Sequence, residues 1–163
     1  MITKRNLLIC ATALATLPMV VTRSYGGSFE VTKSDADWRA ILSPAQFSVL
    51  RENQTEKPFT NSLLGEKSGL LKESREGTYN CAGCALPVYD AATKFDSGTG
   101  WPSFFDAIKG SVGLTEDNTL LTTRTEVHCR RCGGHLGHVF GDGPQPTGKR
   151  YCMNGLAMTF TPV

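Results

Sequence analysis

Acidic side chains are absent before Glu30, and no concentrated basic segment follows that residue. The full sequence carries 17 basic and 15 acidic residues, for a formal net charge of +2. Three of the basic residues, Lys4, Arg5 and Arg23, precede Glu30, so the remainder holds 14 basic against 15 acidic residues and has a net charge of −1. Because nucleic-acid-binding domains present clustered positive charge, this composition argues against a nucleic-acid partner.

An uninterrupted apolar run long enough to cross a bilayer is also missing. Lys4 and Arg5 precede the apolar residues 6–22, which Pro18 interrupts and which fall short of the roughly 20 apolar residues of a membrane span. A basic start followed by a short apolar stretch is typical of a secretory signal peptide. We therefore expect residues 1–33 to be a leader with a linker and the protein to be exported to the periplasm. An uncleaved leader that anchors the protein to the membrane is the alternative.

Residues 34–163 are long enough for one hydrophobic core, and we expect one domain there. Two short helices are predicted at its start. Ser34 is a suitable N-cap for the first. Ser43, Pro44 and Gln46 form a capping-box pattern with proline at the first helical position, which predicts the second helix.

Beyond these helices the sequence favours β-structure. Short segments rich in β-branched and aromatic residues follow Asn61 and are separated by glycine, serine, threonine and aspartate. The residues "TEDNT" at positions 115–119 resemble a hairpin turn between two such segments. The pattern predicts a mainly β domain with antiparallel strands behind a small helical region.

Four of the six cysteines form two C-x-x-C pairs, Cys81 with Cys84 and Cys129 with Cys132. Two such pairs can surround one Zn²⁺ ion tetrahedrally. Four thiolates fill the coordination shell and leave no position for substrate or water, so the predicted zinc site is structural.

Three other uses of these cysteines stay open at this point. Each pair could be a redox dithiol, as in a thioredoxin-like oxidoreductase, or a disulfide in an exported protein. A metal site could also draw on a mixed set of ligands, Cys129, Cys132, His135 and His138.

Cys152 stands apart from the pairs. Cys10 lies in the leader, so Cys152 is the one thiol left over in the domain. Lys149 and Arg150 precede it, and nearby positive charge lowers the pKa of a thiol and favours the nucleophilic thiolate. A buried core cysteine is the alternative.

The histidines favour the nucleophile. His135 and His138 lie close in sequence to Asp142, among glycines that allow close backbone approach. A cysteine nucleophile needs a neighbouring acid or base that a third group orients, and cysteine, histidine and aspartate are suitable types. His128, beside a predicted zinc ligand, is expected to be structural.

The chain resembles the peptide methionine-R-sulfoxide reductases of the B type, a class of enzymes that repair oxidised methionine. The resemblance runs from about Asp37 to the C-terminus. It rests on segments in the order that the family has them: "DWRAILSPAQFSVLRENQTEKPFT", the two C-x-x-C pairs, "KFDSGTGWPSF", "CGGHLGHVFGDGP" and "RYCMN".

This resemblance implies a fold and a set of roles. The fold is two small antiparallel sheets in a barrel-like body with zinc at its periphery. Cys152 matches the nucleophile that attacks the sulfoxide and becomes a sulfenic acid, and Trp101 matches the residue that receives the substrate's S-methyl group. The remaining matched residues assist protonation, orient the reacting groups or stabilise the thiolate: His138, His135, Asp142, Asn154 and Arg150.

Thr99 departs from the family pattern, because many relatives carry a second, resolving cysteine at its position. Threonine cannot form a disulfide with Cys152. We therefore expect an external thiol to reduce the sulfenic acid: glutathione, glutaredoxin or thioredoxin.

The expected substrates are oxidised proteins, and the expected state is a monomer. A non-catalytic zinc-ribbon binding module is the competing function, but such a module gives no reason for the segment "RYCMN".

Overall fold

The computed structural model describes residues 28–119 and 122–163. Residues 1–27 of the predicted leader and linker, with Cys10, lie outside the described residues. Within this part of the chain, neither helix combines the length and apolarity of a bilayer-spanning segment. Residues 28–33 run beside the domain, where the Val31 amide donates to the Arg131 carbonyl at 3.0 Å and the Phe29 ring packs edge-on against His128.

Two capped helices open the domain as predicted, α1 (Asp35–Ile41) and α2 (Pro44–Glu52). The Ser34 and Ser43 side chains each accept a backbone N–H of the first turn, and both caps are complete capping boxes. Such a cap stabilises a helix by about 1 kcal/mol because it satisfies a backbone donor that has no partner within the helix. Helix α2 packs against the strand His135–Phe140, which belongs to the larger of the two sheets described below. It buries four side chains, Ala45, Phe47, Val49 and Leu50.

The strands form two main antiparallel sheets and a small hairpin. The three-stranded sheet contains β3 (Gly77–Cys81), β4 (Pro87–Asp90) and β11 (Met158–Pro162), in the order β11-β3-β4. The six-stranded sheet contains β5 (Lys94–Phe95), β6 (Ser103–Phe104), β7 (Val112–Asp117), β8 (Arg124–Cys129), β9 (His135–Phe140) and β10 (Arg150–Met153), in the order β5-β6-β10-β9-β8-β7. The hairpin pairs β1 (Ser62–Leu63) with β2 (Glu66–Lys67). The predicted mainly β domain with two antiparallel sheets behind short helices is confirmed.

Aromatic side chains join the two main sheets. Tyr79 and Tyr89 come from the three-stranded sheet, and Phe104 and Tyr151 come from the six-stranded sheet. The ring centroids of Tyr89 and Phe104 lie 4.3 Å apart in a stacked pair, and those of Tyr79 and Phe104 lie 4.8 Å apart edge to face. Full burial of a side chain as large as phenylalanine contributes about 1.5–3 kcal/mol, so this cluster holds the sheets together.

The predicted hairpin turn is misplaced. Residues Thr115–Asp117 continue β7, with Thr115 opposite Glu126 and Asp117 opposite Arg124. The connection between the strands therefore begins after Asp117 and not at Thr115. Asp117 reads as a turn residue in sequence, but the structure buries it and pairs it with Arg124, so a tertiary contact overrides its local preference.

The position of β10 in the sheet determines which residues lie next to Cys152. It lies inside the six-stranded sheet, where Cys152 pairs with His138 of β9 on one side and with Ser103 of β6 on the other. Side chains that lie directly opposite each other in neighbouring strands project to the same face of a sheet. This register therefore brings Cys152 and His138 together, although 13 residues separate them in the sequence.

Candidate active site and metal centre

Cys152 lies in a small surface cavity of about 110 Å³. Three strands and two loops contribute to its wall, so the cavity exists only in the folded chain. The lining residues that matter for chemistry are Trp101, Arg124, His138, Phe140, Cys152 and Asn154. The structure thus brings together four residues that the family resemblance assigns to the site, Cys152, His138, Trp101 and Asn154.

Three hydroxyl groups, linked by hydrogen-bond contacts, connect the Cys152 thiol to the sheet interior. Thr99 Oγ1 lies 3.8 Å from Cys152 Sγ, and Ser97 Oγ lies 2.8 Å from Thr99 Oγ1. Ser97 Oγ is also 2.7 Å from Oγ of the fully buried Ser103. Thr99 therefore occupies the place from which a second thiol would reach Cys152, and it offers a hydrogen bond there instead.

Burial dominates the acidity of this thiol. It raises the pKa of Cys152 above the ordinary value, and the opposing effects of Thr99, Arg150 and Ser103 do not cancel it. Arg150 does favour the thiolate, as expected from the sequence, but Lys149 is exposed and is not among the groups that shift this pKa. Cys152 is therefore a protonated thiol at neutral pH, and a base would have to take up its proton before it could act as a nucleophile.

His138 is held by a carboxylate that the sequence did not reveal. Its Nε2 lies 2.7 Å from Oδ2 of Asp117, which also accepts a hydrogen bond from Arg124 Nη2 at 2.8 Å. Burial opposes ionisation of Asp117, yet hydrogen bonds from Thr119 and His138 and the charge of Arg124 hold its pKa below the usual range. Asp117 is therefore ionised, so Nε2 of His138 carries a hydrogen and donates a hydrogen bond to Asp117.

Burial lowers the pKa of His138, and its bond to Asp117 only partly offsets this effect. His138 is therefore neutral at pH 7 and its other ring nitrogen, Nδ1, is free to take up a proton. His138 and Cys152 both line the cavity, so a substrate bound there would meet a neutral imidazole and a protonated thiol, which are suitable groups for general acid–base chemistry.

The Asp142 carboxylate accepts hydrogen bonds from Arg150 and not from a histidine. Two hydrogen bonds of 2.9 Å join the carboxylate to Nε and Nη2 of Arg150, and the guanidinium group lies over the Phe140 ring. This bidentate contact fixes the cation beside Cys152. In this structure Asp142 thus reaches the site through Arg150, while Asp117 is the carboxylate that contacts His138.

His135 lies behind His138, and its side chain is almost fully buried. The two rings meet edge to face at 5.4 Å. Nδ1 of His135 lies 2.7 Å from Oε1 of the buried Glu126, to which Asn53 also donates. His135 does not line the cavity around Cys152, so its contact with the reacting groups runs through His138.

The four paired cysteines meet at the other end of β8. Each pair occupies a tight turn that follows a strand, β3 for Cys81 and Cys84 and β8 for Cys129 and Cys132. The four sulfur atoms lie within 4.8 Å of one another. The Sγ atoms of Cys81 and Cys132 are 3.6 Å apart, and those of Cys84 and Cys129 are 3.5 Å apart.

These distances fit one tetrahedral ion. Metal–sulfur bonds of about 2.3 Å place tetrahedral ligands about 3.8 Å from each other, close to the observed separations. The sulfurs are too far apart for disulfides, which need about 2.05 Å, and none of the five cysteines in the described residues is in one. His135 and His138 are held by carboxylates elsewhere, so the mixed ligand set is wrong. The cluster can hold a metal ion, and its thiolates suit zinc.

Comparisons with known proteins agree with this geometry. The SelR domain model matches residues 42–162. The chain belongs to the SelR family. Its relatives include proteins named peptide methionine sulfoxide reductase MsrB from Agrobacterium fabrum, 50% identical over 82% of this chain and 95% of the relative, and from Methanosarcina mazei, 48% identical over 81% and 90%. A relative of the same name from Leifsonia xyli is 49% identical over 83% and 94%.

SelR membership confirms the family that the sequence motifs indicated. The matched range contains the whole cavity around Cys152 and all four clustered cysteines. Asp117, Arg124 and Ser97 are the additional groups at the site that sequence reasoning missed. The sheet register brings Asp117 of β7 and Arg124 of β8 to the site, and the loop between β5 and β6 brings Ser97 there together with Thr99.

Removal of one clustered thiol should release the metal and destabilise this SelR domain. We expect Cys129→Ser to lower the metal content below half an equivalent and to cost about 3 kcal/mol, which lowers Tm by roughly 10 °C in a domain of this size. Elemental analysis and calorimetry measure both quantities. Cys152→Ser is the control and should keep its metal and its Tm. A Cys129→Ser protein with a full metal equivalent would contradict the four-cysteine site.

The raised pKa of Cys152 has a kinetic signature. Because only the thiolate reacts with iodoacetamide, the alkylation rate should still be climbing above about pH 8.5, the ordinary thiol pKa. Arg150→Gln removes a charge that favours the thiolate, so the pKa of Cys152 should rise further and the rate at about pH 8 should fall. The adjacent Lys149→Gln should leave that rate unchanged. A rate that levels off below pH 8, or equal effects of the two substitutions, would contradict this assignment.

Proposed function

We propose that this protein reduces methionine-R-sulfoxide in oxidised proteins to methionine, with Cys152 as nucleophile and an external thiol as the final reductant. The observation that carries the proposal is the pairing of Cys152 with His138 across β10 and β9 in a cavity whose wall includes Trp101. The names of the SelR relatives supply the substrate class.

Trp101 supports substrate binding. Its ring lines the cavity while its indole N–H donates to the Glu56 carbonyl at 3.0 Å, so the ring plane is fixed. An aromatic face suits the S-methyl group of methionine sulfoxide, and the small cavity leaves the rest of the protein substrate outside.

The first half-reaction moves one oxygen and two electrons. Cys152 gives its proton to neutral His138, and the thiolate attacks the sulfoxide sulfur. The electron pair of the S–O bond collects on oxygen, which receives the proton back from His138, with Arg150 stabilising the thiolate before attack. Oxygen then passes to the cysteine sulfur. Its bond to the methionine sulfur breaks together with the sulfur–sulfur bond that the attack had formed, and an electron pair stays on the methionine sulfur. Thiol plus sulfoxide thus give sulfenic acid plus methionine, so the substrate is reduced and Cys152 is oxidised.

Asn154 and His135 have supporting roles in this proposal. Asn154 is buried beside the cavity and can orient a bound water or the substrate oxygen. His135 packs on His138 and holds its ring orientation from behind. Asp142 acts through Arg150, to which it is bound.

The second half-reaction requires an outside thiol. Thr99 stands 3.8 Å from Cys152 where a resolving thiol would lie, and the other four cysteines of the described residues are in the metal cluster. One external thiol condenses with the sulfenic acid and releases water, and a second displaces Cys152 from the mixed disulfide. Glutathione, glutaredoxin and thioredoxin all provide such thiols.

We further propose that the enzyme acts as an exported monomer on oxidised envelope proteins of the periplasm. The basic and apolar leader supports this proposal. Retention of an uncleaved leader as a membrane anchor is the alternative, and N-terminal sequencing of fractionated mature protein separates the two. We assign zinc to the four-cysteine cluster in a structural role.

Loss of the nucleophile should abolish turnover without unfolding the protein. With dithiothreitol as reductant, Cys152→Ser should lower kcat/KM for a methionine-R-sulfoxide peptide at least about 10³-fold, because no other thiol lines the cavity. Chromatographic detection of methionine measures this change. Activity that survives in Cys152→Ser, or wild-type protein that binds zinc but reduces no sulfoxide, would favour a binding module over an enzyme.

A thiol at position 99 should allow Cys152 sulfenic acid to be reduced by an intramolecular disulfide instead of by an external thiol. After one turnover without reductant, Thr99→Cys should form an intramolecular disulfide with Cys152, because the two side chains already approach to 3.8 Å. Mass spectrometry of the digested protein detects that link. Thr159→Cys, on β11 in the other sheet, is the matched control and should form none. An intramolecular disulfide of Cys152 in the wild-type protein would refute recycling by an external thiol alone.

A further inference from the structure

Glu56 is a buried carboxylate outside the set of residues assigned above. It lies in the segment between α2 and β1, and only 1% of its surface is exposed. Within the described residues no cation forms an ion pair with it. A buried charge without an ion pair is costly unless hydrogen bonds satisfy it, so its retention calls for a local reason.

Three donors surround this carboxylate. Oε1 accepts hydrogen bonds from Asn61 Nδ2 and from the Gly155 amide, both at 2.7 Å. Oε2 accepts one from the Leu156 amide at 3.0 Å. The two amides begin the 3₁₀ turn Gly155–Ala157, which Asn154 separates from the end of β10. The carboxylate therefore fixes the chain immediately after the nucleophile strand.

Gly155 makes this approach possible. A Cβ atom on Gly155 would lie 2.4 Å from Ser68 Oγ and 3.4 Å from Glu56 Oε1. A side chain there would collide with Ser68, so the turn could stay this close to Ser68 and to the carboxylate only if Ser68 moved.

The main chain of Glu56 reaches two residues of the cavity. Its amide donates to Asn154 Oδ1 at 3.0 Å, and its carbonyl accepts the Trp101 indole N–H at 3.0 Å. Asn61 adds a bond of 3.3 Å to the Gly100 carbonyl, next to Trp101. One residue is thus bonded to the proposed substrate wall, to Asn154 and to the turn after Cys152.

We propose that Glu56 is a positioning residue that holds Trp101 and Asn154 in register with Cys152, so that it governs how the sulfoxide is bound and not how reactive the thiol is. This inference rests on the proposed function. The three hydrogen bonds to the Glu56 carboxylate fix the position of the residue. Its backbone amide and carbonyl are thereby held where they can bond to Asn154 and Trp101.

The chemistry requires a carboxylate of this length. All three partners are N–H donors, and a carboxylate only accepts. Glu56→Gln keeps the shape but turns an NH₂ group toward one of these donors, so at least one bond is replaced by a repulsive contact.

The test measures binding and thiol reactivity separately. We expect Glu56→Gln to lower kcat/KM for a methionine-R-sulfoxide peptide by about 10- to 100-fold, because small displacements of positioning groups cost that much. The alkylation rate of Cys152 should stay within about twofold of wild type. Glu76→Gln, at an exposed glutamate, is the matched control and should leave both rates unchanged.

A double substitution shows whether the effect runs through the indole. Trp101→Phe removes the N–H that Glu56 holds, so Glu56→Gln should cost at least about threefold less in that background than in the wild type. Equal cost in both backgrounds would mean that Glu56 does not act through Trp101 and would overturn the proposal.

A second variant, Asn61→Gly, tests the same proposal if Glu56→Gln does not fold. Asn61→Gly removes one donor to the carboxylate and tolerates the positive φ of 44° at this position. It should lower kcat/KM in the same direction by about 3- to 10-fold with unchanged alkylation. If wild-type protein is active and neither variant that folds changes kcat/KM, the inference about Glu56 fails alone. If wild-type protein reduces no sulfoxide, the proposed function itself fails.

Discussion

The pairing of β10 inside the six-stranded sheet is the constraint on which the site depends. Cys152 faces the cavity only because it lies opposite His138 of β9 and Ser103 of β6. A slip of one residue would turn the thiol to the other face, since side chains alternate along a strand. The neighbouring Tyr151 prevents such a slip, because it is 5% exposed within the aromatic contact between the sheets. Core packing therefore sets the register, and the register sets the chemistry.

Buried charge is the second organising feature of the molecule. Three carboxylates, Asp117, Glu126 and Glu56, are almost fully enclosed, and each is satisfied by specific donors. Two of them hold the histidines, and the third holds the turn after β10. Hydrogen bonds in such an environment are strong and directional, so the groups around the thiol are fixed before substrate arrives. Burial also keeps Cys152 protonated at rest, so the proposed mechanism needs His138 as a base.

Local features of this fold were predictable from the sequence, because their causes are local. The N-caps at Ser34 and Ser43 follow from side chain and backbone within four residues, and the C-x-x-C turns bring paired thiols together by spacing alone. Long-range contacts were not predictable in this way. Asp117 reads as a turn residue, yet the sheet register delivers it to His138. Glu56 lies in a segment that resembles the family, but the resemblance assigns it no role, and only folding gathers its partners from positions up to 100 residues away.

The fold keeps its cysteines in two separate places, a four-cysteine cluster that can hold a metal ion and the single thiol of Cys152. The cluster of four thiols joins the turns after β3 and β8, while Cys152, the remaining thiol of the described residues, lies by itself in the cavity, where we propose that it reacts with the sulfoxide. A single-turnover experiment tests that division most directly: reductant-free protein is mixed with excess methionine-R-sulfoxide peptide, and sulfenic acid is trapped with dimedone and located by mass spectrometry. The predicted result is one methionine per protein and one adduct, on Cys152. Two methionines per protein, or an adduct on a clustered cysteine, would contradict it.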